Sequence, residues 1–280
     1  MFTVNEKNNK IVLDGLDSFS IHKIFDCGQC FRFNELEDDT VEGVALGKFV
    51  RFEQINDQKV LISGISLSEF DEKWSHYLAL DEDYKLIDED IICRLDGDVA
   101  IKKAIEYGNG IRLLRQDGWE ALCSFIISQN NNIPRIKKII ENMSCEFGER
   151  IDDKHYAFPT AESLCNAGVD KIFELKTGFR AKYIYDCAEK VATGKINLSK
   201  IDEMTTDEAL EYLMQIKGVG LKVASCALLF GFNKTDAFPV DVWVKRVLAK
   251  YYPNGLDIQN LGKNAGMIQQ YLFYYERYNK

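Results

Sequence analysis

Lys222 and Asp241 are the residues whose types and spacing most directly suggest chemistry. Lys222 follows the glycine pair Gly218-x-Gly220, and Asp241 lies nineteen residues further on, at the front of another helical pattern. A lysine amine that is neutral for part of the time is a nucleophile. A fixed carboxylate can assist proton transfer or stabilise a cationic transition state. Together the two residues predict covalent chemistry through an amine, assisted by a carboxylate.

Each of these two residues also has a purely structural interpretation. Lys222 falls in the first turn of a predicted helix, with Cys226 one turn further along the same face. A positive helix end and apolar neighbours disfavour the ammonium form there, whereas an ordinary surface lysine is simply solvated. Asp241 is placed to cap the helix that follows it. A capped carboxylate stays ionised and fixed, so capping and catalysis are compatible.

The glycine pair lies in a segment of the form helix, hairpin, helix, over about residues 206–232. We expect the first helix to end near Gln215, a turn over 217–220, and a second helix from Leu221 to about Phe230. Two glycines permit backbone angles that a side chain forbids. They also leave N–H groups uncovered at a helix N-terminus, where a phosphate is a favourable partner. The hairpin therefore predicts a phosphate contact, although a tight helical connection alone would explain the same pattern.

The charge distribution bears on whether the partner is a polyanion. The 280 residues carry a formal net charge of −9, unlike the basic footprint of most nucleic-acid-binding proteins. Residues 66–98 contain eleven acidic and three basic residues, a balance of −8, whereas residues 215–250 contain six basic and two acidic residues, a balance of +4. A local grip on DNA is compatible with this acidic chain, and charge alone fits a solvated surface equally well.

The sequence has no membrane or metal signature. Its longest uncharged apolar run, residues 223–232, is about half of the roughly 20 residues that a membrane span needs, and the first ten residues lack a signal-peptide core. We therefore expect a soluble, intracellular protein. The eight cysteines are scattered through apolar patterns, which favours buried free thiols. Cys27-x-x-Cys30 has no second pair to complete a four-ligand zinc site, so no metal is expected there.

Two kinds of apolar periodicity divide the chain. Up to about residue 65, apolar and polar residues alternate between Gly, Asn and Asp breaks, which predicts an antiparallel sheet. From about Leu67 the apolar spacing becomes three and four residues, which predicts helices. We expect an α+β fold, mainly α, with an N-terminal antiparallel sheet domain over residues 1–98 and a helical core over residues 99–280. The helical patterns begin at residues 68, 99, 118, 134, 180, 205, 241 and 265.

These features resemble the helix-hairpin-helix (HhH-GPD) superfamily of DNA glycosylases, in which a hairpin, a lysine after "GVG", a loop with glycine and proline, and an aspartate follow in this order. The resemblance covers nearly the whole chain and implies an HhH-GPD core of two lobes behind the sheet domain. It implies a bifunctional base-excision repair enzyme, a DNA glycosylase and AP lyase that excises 8-oxoguanine. The segments that resemble 8-oxoguanine DNA glycosylases are "GQCFRF" (28–33), "GIRLLRQDGWEALCSFIISQNNNIPRI" (110–136), "GFRAKYI" (178–184) and "AGMIQQYLF" (265–273).

The resemblance assigns roles to both catalytic candidates. In that family a lysine attacks the anomeric carbon of the damaged nucleotide, expels the base and forms a Schiff base, whose β-elimination nicks the strand. Lys222 matches this lysine, and Asp241 matches the family's aspartate. The nucleotide must first leave the stack, which costs a few kcal/mol, and Asn130 matches the residue that fills the resulting gap.

Base recognition has a specific chemical requirement. Oxidation of guanine adds an oxygen at C8 and a hydrogen at N7, so N7 changes from acceptor to donor. The resemblance places the Gly28 carbonyl at that hydrogen, Gln269 at the pairing edge of the base, and Phe273 and Cys226 against its two faces. Judged singly, a turn glycine and helix packing would explain these positions.

The resemblance also implies contacts with the rest of the DNA. Arg135, Phe179 and Arg180 match positions around the orphaned partner base. Animal members commonly have tyrosine where this chain has Phe179 and histidine where it has Trp243, so opposite-base preference and the local phosphate contact are open. The complete set of implied DNA contacts is Asn130, Arg135, Phe179, Arg180, Gly218, Gly220 and Trp243.

Two rival functions share some of these features. An endonuclease III-like pyrimidine glycosylase carries the same lysine and aspartate, but it usually holds an iron–sulfur cluster with four C-terminal cysteines. No cysteine follows Cys226, so we expect no iron–sulfur cluster and no other cofactor, while a monovalent or divalent cation at the hairpin stays open. A noncatalytic DNA-binding module is the rival from another class. The expected partner is double-stranded DNA containing 8-oxoguanine, bound by a monomer in the cytoplasm, or at the nucleoid if the source is bacterial, without membrane contact.

Overall fold

The N-terminal part of the molecule is one six-stranded antiparallel sheet, in a computed structural model that describes residues 2–279. The strand order is β1-β2-β6-β5-β4-β3. Alternate residues face the core, as in β2, where buried Ile11 and Leu13 lie opposite Ile62 and Val60 of β6. The predicted antiparallel sheet is confirmed. Its strands are β1 (Thr3–Lys7), β2 (Lys10–Asp14), β3 (Phe33–Leu36), β4 (Thr40–Ala45), β5 (Lys48–Asn56) and β6 (Lys59–Ser63).

One helix interrupts the region that the alternation assigned to strands. Helix α1 (Ile21–Asp26) begins after Ser20, whose hydroxyl accepts a hydrogen bond from the Lys23 amide. It buries Ile24 and Phe25 in the core beneath the sheet. The prediction of strands alone up to about residue 65 is wrong here, because six residues make less than two helical turns and are too short to reveal a helical period.

The remainder of the chain is mainly helical, which confirms the α+β class with a predominance of helix. Each helical pattern recognised in the sequence forms a helix, while α4 and α8 were not predicted. Helix α4 buries only Tyr84 and Ile91, and α8 contains Gly168 with a φ of 79°, so neither has a continuous apolar stripe. A π-helical turn (Phe70–Trp74) separates α2 (Leu67–Glu69) from α3 (Ser75–Tyr77), and the later helices are α4 (Tyr84–Arg94), α5 (Val99–Gly108), α6 (Gly118–Ser128), α7 (Ile133–Phe147), α8 (Ala161–Ile172), α9 (Ala181–Ala192), α10 (Thr206–Leu213), α11 (Leu221–Gly231), α12 (Val242–Tyr251) and α13 (Ala265–Tyr278).

Two apolar cores hold these elements together. One lies between the sheet, α1 and the short helical turns after β6, and the other lies among the longer helices. The segment between α1 and β3 joins them, because Cys30 and Phe33 belong to the sheet core while Cys27 and Phe31 belong to the helical core. The domain boundary after residue 98 stays a prediction.

Two further expectations concern the cysteines, expected as buried free thiols, and the apolar helices, expected to be too short to span a membrane. All eight cysteines are free, and five of them are buried, whereas Cys93 and Cys145 are exposed. None of the helices within residues 2–279 is long and apolar enough to span a bilayer.

Candidate active site

The predicted hairpin lies between α10 and α11. Its turn is fixed by the Val219 amide, which donates to the Ile216 carbonyl at 3.0 Å, and by the Lys217 amide, which donates to Oδ2 of Asp186 in α9 at 2.8 Å. Gly218 has a φ of 81°, and a Cβ added there would lie 2.3 Å from the Tyr183 ring. Both the left-handed backbone and the packing therefore require glycine at position 218.

Gly220 serves a different purpose from Gly218. Its φ of −104° and ψ of −179° are extended backbone that any residue adopts, and no atom lies within 4 Å of an added Cβ. The expectation that both glycines supply forbidden backbone angles is confirmed for Gly218 and wrong for Gly220. At Gly220 no side chain caps α11, so the first amides of this helix stay open to an external acceptor.

A cavity of about 390 Å³ lies between α11, α13 and the segment after α1, within the size range of ligand sites. It unites both predicted catalytic residues with all four predicted base-binding residues. Other walls come from the end of α6 and the start of α7. The predicted residues that line the cavity are Gly28, Lys222, Cys226, Asp241, Trp243, Gln269 and Phe273.

The amine of Lys222 lies at the wall of this cavity. Its Nζ donates to Oγ of Ser128 at 3.3 Å and lies 5.3 Å from the centroid of the Phe125 ring. The Ser128 hydroxyl in turn donates to the Phe125 carbonyl at 2.8 Å, and the Phe125 ring stacks on Phe230. Lys222 is therefore half-buried, and its amine lies against an aromatic surface at the cavity wall.

The carboxylate of Asp241 is fixed at the start of α12. Its Oδ1 accepts a hydrogen bond from the Val244 amide at 2.8 Å, which confirms the predicted cap. In the part of the chain that the structure describes, Asp241 and Lys222 form no ion pair within 4.0 Å. The cap therefore holds a carboxylate in the same cavity as the amine without neutralising it.

Cys226 lines the same cavity as these two charged groups. Burial raises the pKa of its thiol to about 11, while the charge of Lys222 lowers the pKa and the charge of Asp241 raises it. The thiol is therefore protonated near neutral pH. It presents a soft, weakly polar surface to the cavity, suited to contact with the face of a planar ring.

Helix α13 supplies an unsatisfied acceptor to the cavity. Gln269 is only 4% exposed, and its Oε1 has no hydrogen-bond partner among residues 2–279. A buried polar atom left without a partner costs about 1–3 kcal/mol. Phe273 lies one helical turn further on, beside the same cavity. A ligand that stacks on Phe273 and donates a hydrogen bond to Gln269 would relieve this cost.

The turn that contains Gly28 is held by buried amide side chains. Nε2 of Gln270 donates to the Cys27 carbonyl, and Nε2 of Gln116 donates to the Gln29 carbonyl, both at 2.7 Å. Gly28 has a φ of 79°, and an added Cβ would lie 3.4 Å from the Phe273 ring. These glutamines were missed in the sequence: the signal of Gln270 is an amide residue inside the apolar run "IQQY", whereas Gln116, in "RQDG", has no such signal.

The remaining predicted DNA contacts lie outside the cavity. Asn130 and Arg135 are exposed, and Phe179 is 52% exposed. Arg180 is only 2% exposed: its Nε donates to the Gln129 carbonyl at 2.8 Å, and its Nη2 donates to the Asn130 carbonyl at 2.9 Å. The expectation that Arg180 faces a partner base does not match this geometry, because its donors support the loop that carries Asn130.

Family models match most of the chain. Residues 11–122 match the 8-oxoguanine DNA glycosylase N-terminal domain. Residues 123–259 match the HhH-GPD superfamily of base excision DNA repair proteins. The first match contains β3 to β6, most of β2 and the Gly28 turn, and the second contains the hairpin, Lys222 and Asp241.

Solved structures and a curated relative show the same likeness. The chain is 42% identical to MBOgg1, solved with a low-affinity DNA ligand, over 99% of this chain and 98% of that one, with a TM-score of 0.92. It is 39% identical to the Clostridium acetobutylicum 8-oxoguanine glycosylase/lyase, solved with double-stranded DNA containing cytosine opposite 8-oxoguanine, over 99% and 98% of the two chains, with a TM-score of 0.91. The N-glycosylase/DNA lyase of Saccharomyces cerevisiae is 37% identical over 158 residues, which span 51% of this chain but only 42% of that protein.

Proposed function

The chain belongs to the 8-oxoguanine DNA glycosylase family of the HhH-GPD superfamily, and we propose that it is a bifunctional DNA glycosylase and AP lyase that excises 8-oxoguanine from duplex DNA. One observation carries this proposal. A single cavity contains an amine on Lys222, a fixed carboxylate on Asp241 and an unpaired, buried acceptor on Gln269. These groups match a reaction at a sugar carbon whose attached base is bound in the same cavity.

The chemical step uses the two charged groups together. The lone pair of the neutral Lys222 amine forms a bond to C1′ as the bond from C1′ to N9 breaks. The electron pair of the broken bond leaves with the base, which takes up a proton. Asp241 stabilises the positive charge that develops on the sugar and the attacking nitrogen. Because Asp241 is held by a backbone amide and is not paired with Lys222, its charge is available for this purpose.

The strand is then cut by elimination. The nitrogen then loses a proton, and its electron pair forms the C1′=N bond as the bond from C1′ to O4′ breaks and O4′ takes up a proton, which gives a Schiff base between Lys222 and C1′. Removal of a proton from C2′ expels the 3′ phosphate by breaking the bond from C3′ to oxygen. Hydrolysis of the Schiff base by water then restores the lysine. No cofactor enters this sequence, because the amine is the nucleophile.

Base selection in this proposal depends on hydrogen-bond polarity. The Gly28 carbonyl accepts the N7 hydrogen of 8-oxoguanine, whereas guanine presents an N7 lone pair that repels it. Gln269 supplies its unpaired Oε1 to the donors of the pairing edge. Phe273 and Cys226 contact the two faces. The buried glutamines around the Gly28 turn support this role, because they bind the carbonyls of Cys27 and Gln29 on either side of Gly28.

The DNA itself is gripped at several points. Open amides at the start of α11, beside Gly220, bind a backbone phosphate, and Trp243 lies near a second one. Asn130 fills the gap left by the extruded nucleotide, while exposed Phe179 and Arg135 contact the partner base and its surroundings. Arg180 supports the Asn130 loop from within. The preference for the opposite base stays a prediction.

Other predictions about its partners stay open. No group of histidine, cysteine and acidic residues within residues 2–279 is arranged to hold a metal ion, and a cation at the hairpin stays a prediction. We propose action on DNA inside the cell, while the monomeric state and the cytoplasmic or nucleoid location stay predictions.

Trapping with borohydride tests the proposal. Reduction of the Schiff base should give a covalent protein–DNA adduct with a duplex that contains 8-oxoguanine opposite cytosine, and little adduct with an undamaged duplex. Lys222→Gln should abolish the adduct. Lys195→Gln, at an exposed position after α9, is the matched control and should retain it. A noncatalytic DNA-binding module would bind the duplex but give no adduct with either protein.

A further inference from the structure

Arg277 is a charged side chain at the cavity wall that none of the proposed roles uses. The carbon of its guanidinium lies 5.7 Å from the centroid of the Phe273 ring and 4.8 Å from that of Tyr278. Within residues 2–279, the guanidinium has no hydrogen bond and no carboxylate within 4.0 Å. A half-buried guanidinium with five donors and no acceptor is prepared to bind an oxygen from outside the protein.

The spacing on α13 indicates which edge of a bound base Arg277 would meet. Gln269, Phe273 and Arg277 follow each other every four residues, so they lie along one face of the helix, about 6 Å apart for each step. A base that stacks on Phe273 with its pairing edge toward Gln269 therefore directs its opposite edge toward Arg277. In a purine this opposite edge carries N7 and C8.

The position of Gly28 leads to the same edge independently. A methyl group built on Gly28 would lie 3.4 Å from the Phe273 ring and 3.5 Å from Nη1 of Arg277. The glycine assigned to the N7 hydrogen thus adjoins the guanidinium. On that edge, the atom bonded to C8 is an acceptor that the donors of Arg277 could meet, whereas the N7 hydrogen is itself a donor.

We propose that Arg277 donates a hydrogen bond to O8 of the extruded 8-oxoguanine, an inference that rests on the proposed function. O8 is absent from guanine, so guanine would leave the guanidinium facing a C–H group. Hydrogen bonds from a charged donor are roughly twice as strong as neutral ones. When the glycosidic bond breaks, negative charge spreads onto O8, so the contact strengthens in the transition state. Arg277 then contributes to lesion selectivity and to departure of the base.

Binding measurements test this contact separately from catalysis. With Lys222→Gln in every protein, Kd is measured for a duplex with 8-oxoguanine and for one with a tetrahydrofuran abasic analogue, which has no base. Arg277→Leu should weaken binding to the first duplex at least tenfold and change binding to the second less than twofold. Arg51→Leu, which removes an exposed arginine of β5 that is paired with Glu42, is the control and should change neither Kd. Equal losses on both duplexes, or no loss on either, would overturn the proposal.

A base analogue tests whether O8 is the atom that Arg277 contacts. 8-Thioguanine keeps the N7 hydrogen but replaces O8 with sulfur, a weaker acceptor. A protein with Arg277 should excise 8-oxoguanine at a higher single-turnover rate than 8-thioguanine. Arg277→Leu should lose most of that preference. A double-mutant cycle, in which the side chain and the base are each changed, expresses this loss as a coupling. An unchanged preference would contradict the contact with O8. If the unaltered protein forms no borohydride adduct with 8-oxoguanine, the proposed function itself is wrong. If the adduct forms but the coupling is absent, only the role of Arg277 is wrong.

Discussion

Helices α11 and α12 both begin at the edge of the cavity, but their first turns are completed differently. Helix α11 follows Gly220 and has no side-chain cap, so its first amides are left open. Helix α12 follows Asp241, whose carboxylate accepts a hydrogen bond from the Val244 amide at 2.8 Å. The start of α11 follows the hairpin, whereas the start of α12 follows the loop that contains Pro239, and residues at both starts line the cavity.

The difference shows how one local property serves two functions. A helix N-terminus has unpaired amides and a partial positive charge. Left open, as at Gly220, it attracts an anion from outside, which we propose is a DNA phosphate. Closed by Asp241, it holds a carboxylate in place. The choice of residue at the capping position therefore separates a binding surface from a catalytic group.

The largest effect on activity should come from a substitution that removes the charge of Asp241 but keeps the cap of α12. Asparagine caps helices about as well as aspartate, so Asp241→Asn should leave the free energy of unfolding within about 0.5 kcal/mol. Loss of the charge should slow single-turnover excision by about 100- to 1000-fold. Asp241→Ala should lose activity similarly and also about 1 kcal/mol of stability. Near-normal activity of Asp241→Asn would show that the residue is only a cap.

The two glycines of the hairpin should differ strongly in tolerance of a methyl group. Gly218→Ala puts a side chain into left-handed backbone and against the Tyr183 ring, 2.3 Å from the added carbon, and should cost about 2–3 kcal/mol of stability. Gly220→Ala meets open space and should change stability by less than about 0.5 kcal/mol. Urea denaturation measures both. Equal costs would mean that the hairpin geometry described above is incorrect.

A cap added to α11 should make its start resemble that of α12. Gly220 already has the extended backbone of a capping residue, so Gly220→Asp should raise stability by a few tenths of a kcal/mol. The new carboxylate would occupy the open amides and repel phosphate, which should weaken binding of duplex DNA by about tenfold. Gly220→Ala serves as the control in the same binding titration. Unchanged affinity of the Asp variant would show that phosphate does not bind at this helix end.

Asp88 extends the comparison to a carboxylate that no helix amide stabilises. It accepts a hydrogen bond from the Tyr271 hydroxyl at 2.8 Å, but burial raises its pKa to about 6. Because the folded pKa lies above the ordinary value of 3.8, the protonated form favours the folded state, and this stability is lost as pH rises through about 6. Asp88→Asn should therefore be more stable than the natural protein at pH 8 by about 1 kcal/mol, because solvent screens a partly exposed carboxylate and keeps the difference small.

The pH dependence provides the check on this last prediction. Urea denaturation of both proteins should show the difference in stability shrinking toward pH 4, where Asp88 is protonated in the folded state. A difference that stays constant between pH 4 and pH 8 would mean that ionisation of Asp88 is not its cause.

Local patterns in the sequence were enough to predict much of the fold. Apolar spacing located α7 and α9, because each buries one continuous face. The shortness of α1 and the kink of α8 at Gly168 removed that signal. Resemblance to a family brought Gly28, Lys222 and Gln269 to one site although they are far apart in the chain.

Contacts between distant segments could not be predicted in this way. Arg180 has the residue type of a DNA contact, yet three backbone carbonyls consume its donors inside the protein. Gln270 and Gln116 hold the Gly28 turn through bonds that join residues far apart in sequence. Arg277 reaches the cavity only because α13 packs beside that turn. None of these three features has a local sequence period that would reveal it.

The most direct test of the account is to locate the covalent bond between protein and DNA. After borohydride trapping on a duplex with 8-oxoguanine, the adduct is digested and its peptides are sequenced by mass spectrometry. We predict that the reduced sugar remnant is attached to Lys222, in the peptide that follows the hairpin. Attachment to a different lysine, or to the N-terminal amine, would contradict the assignment of Lys222 as the nucleophile.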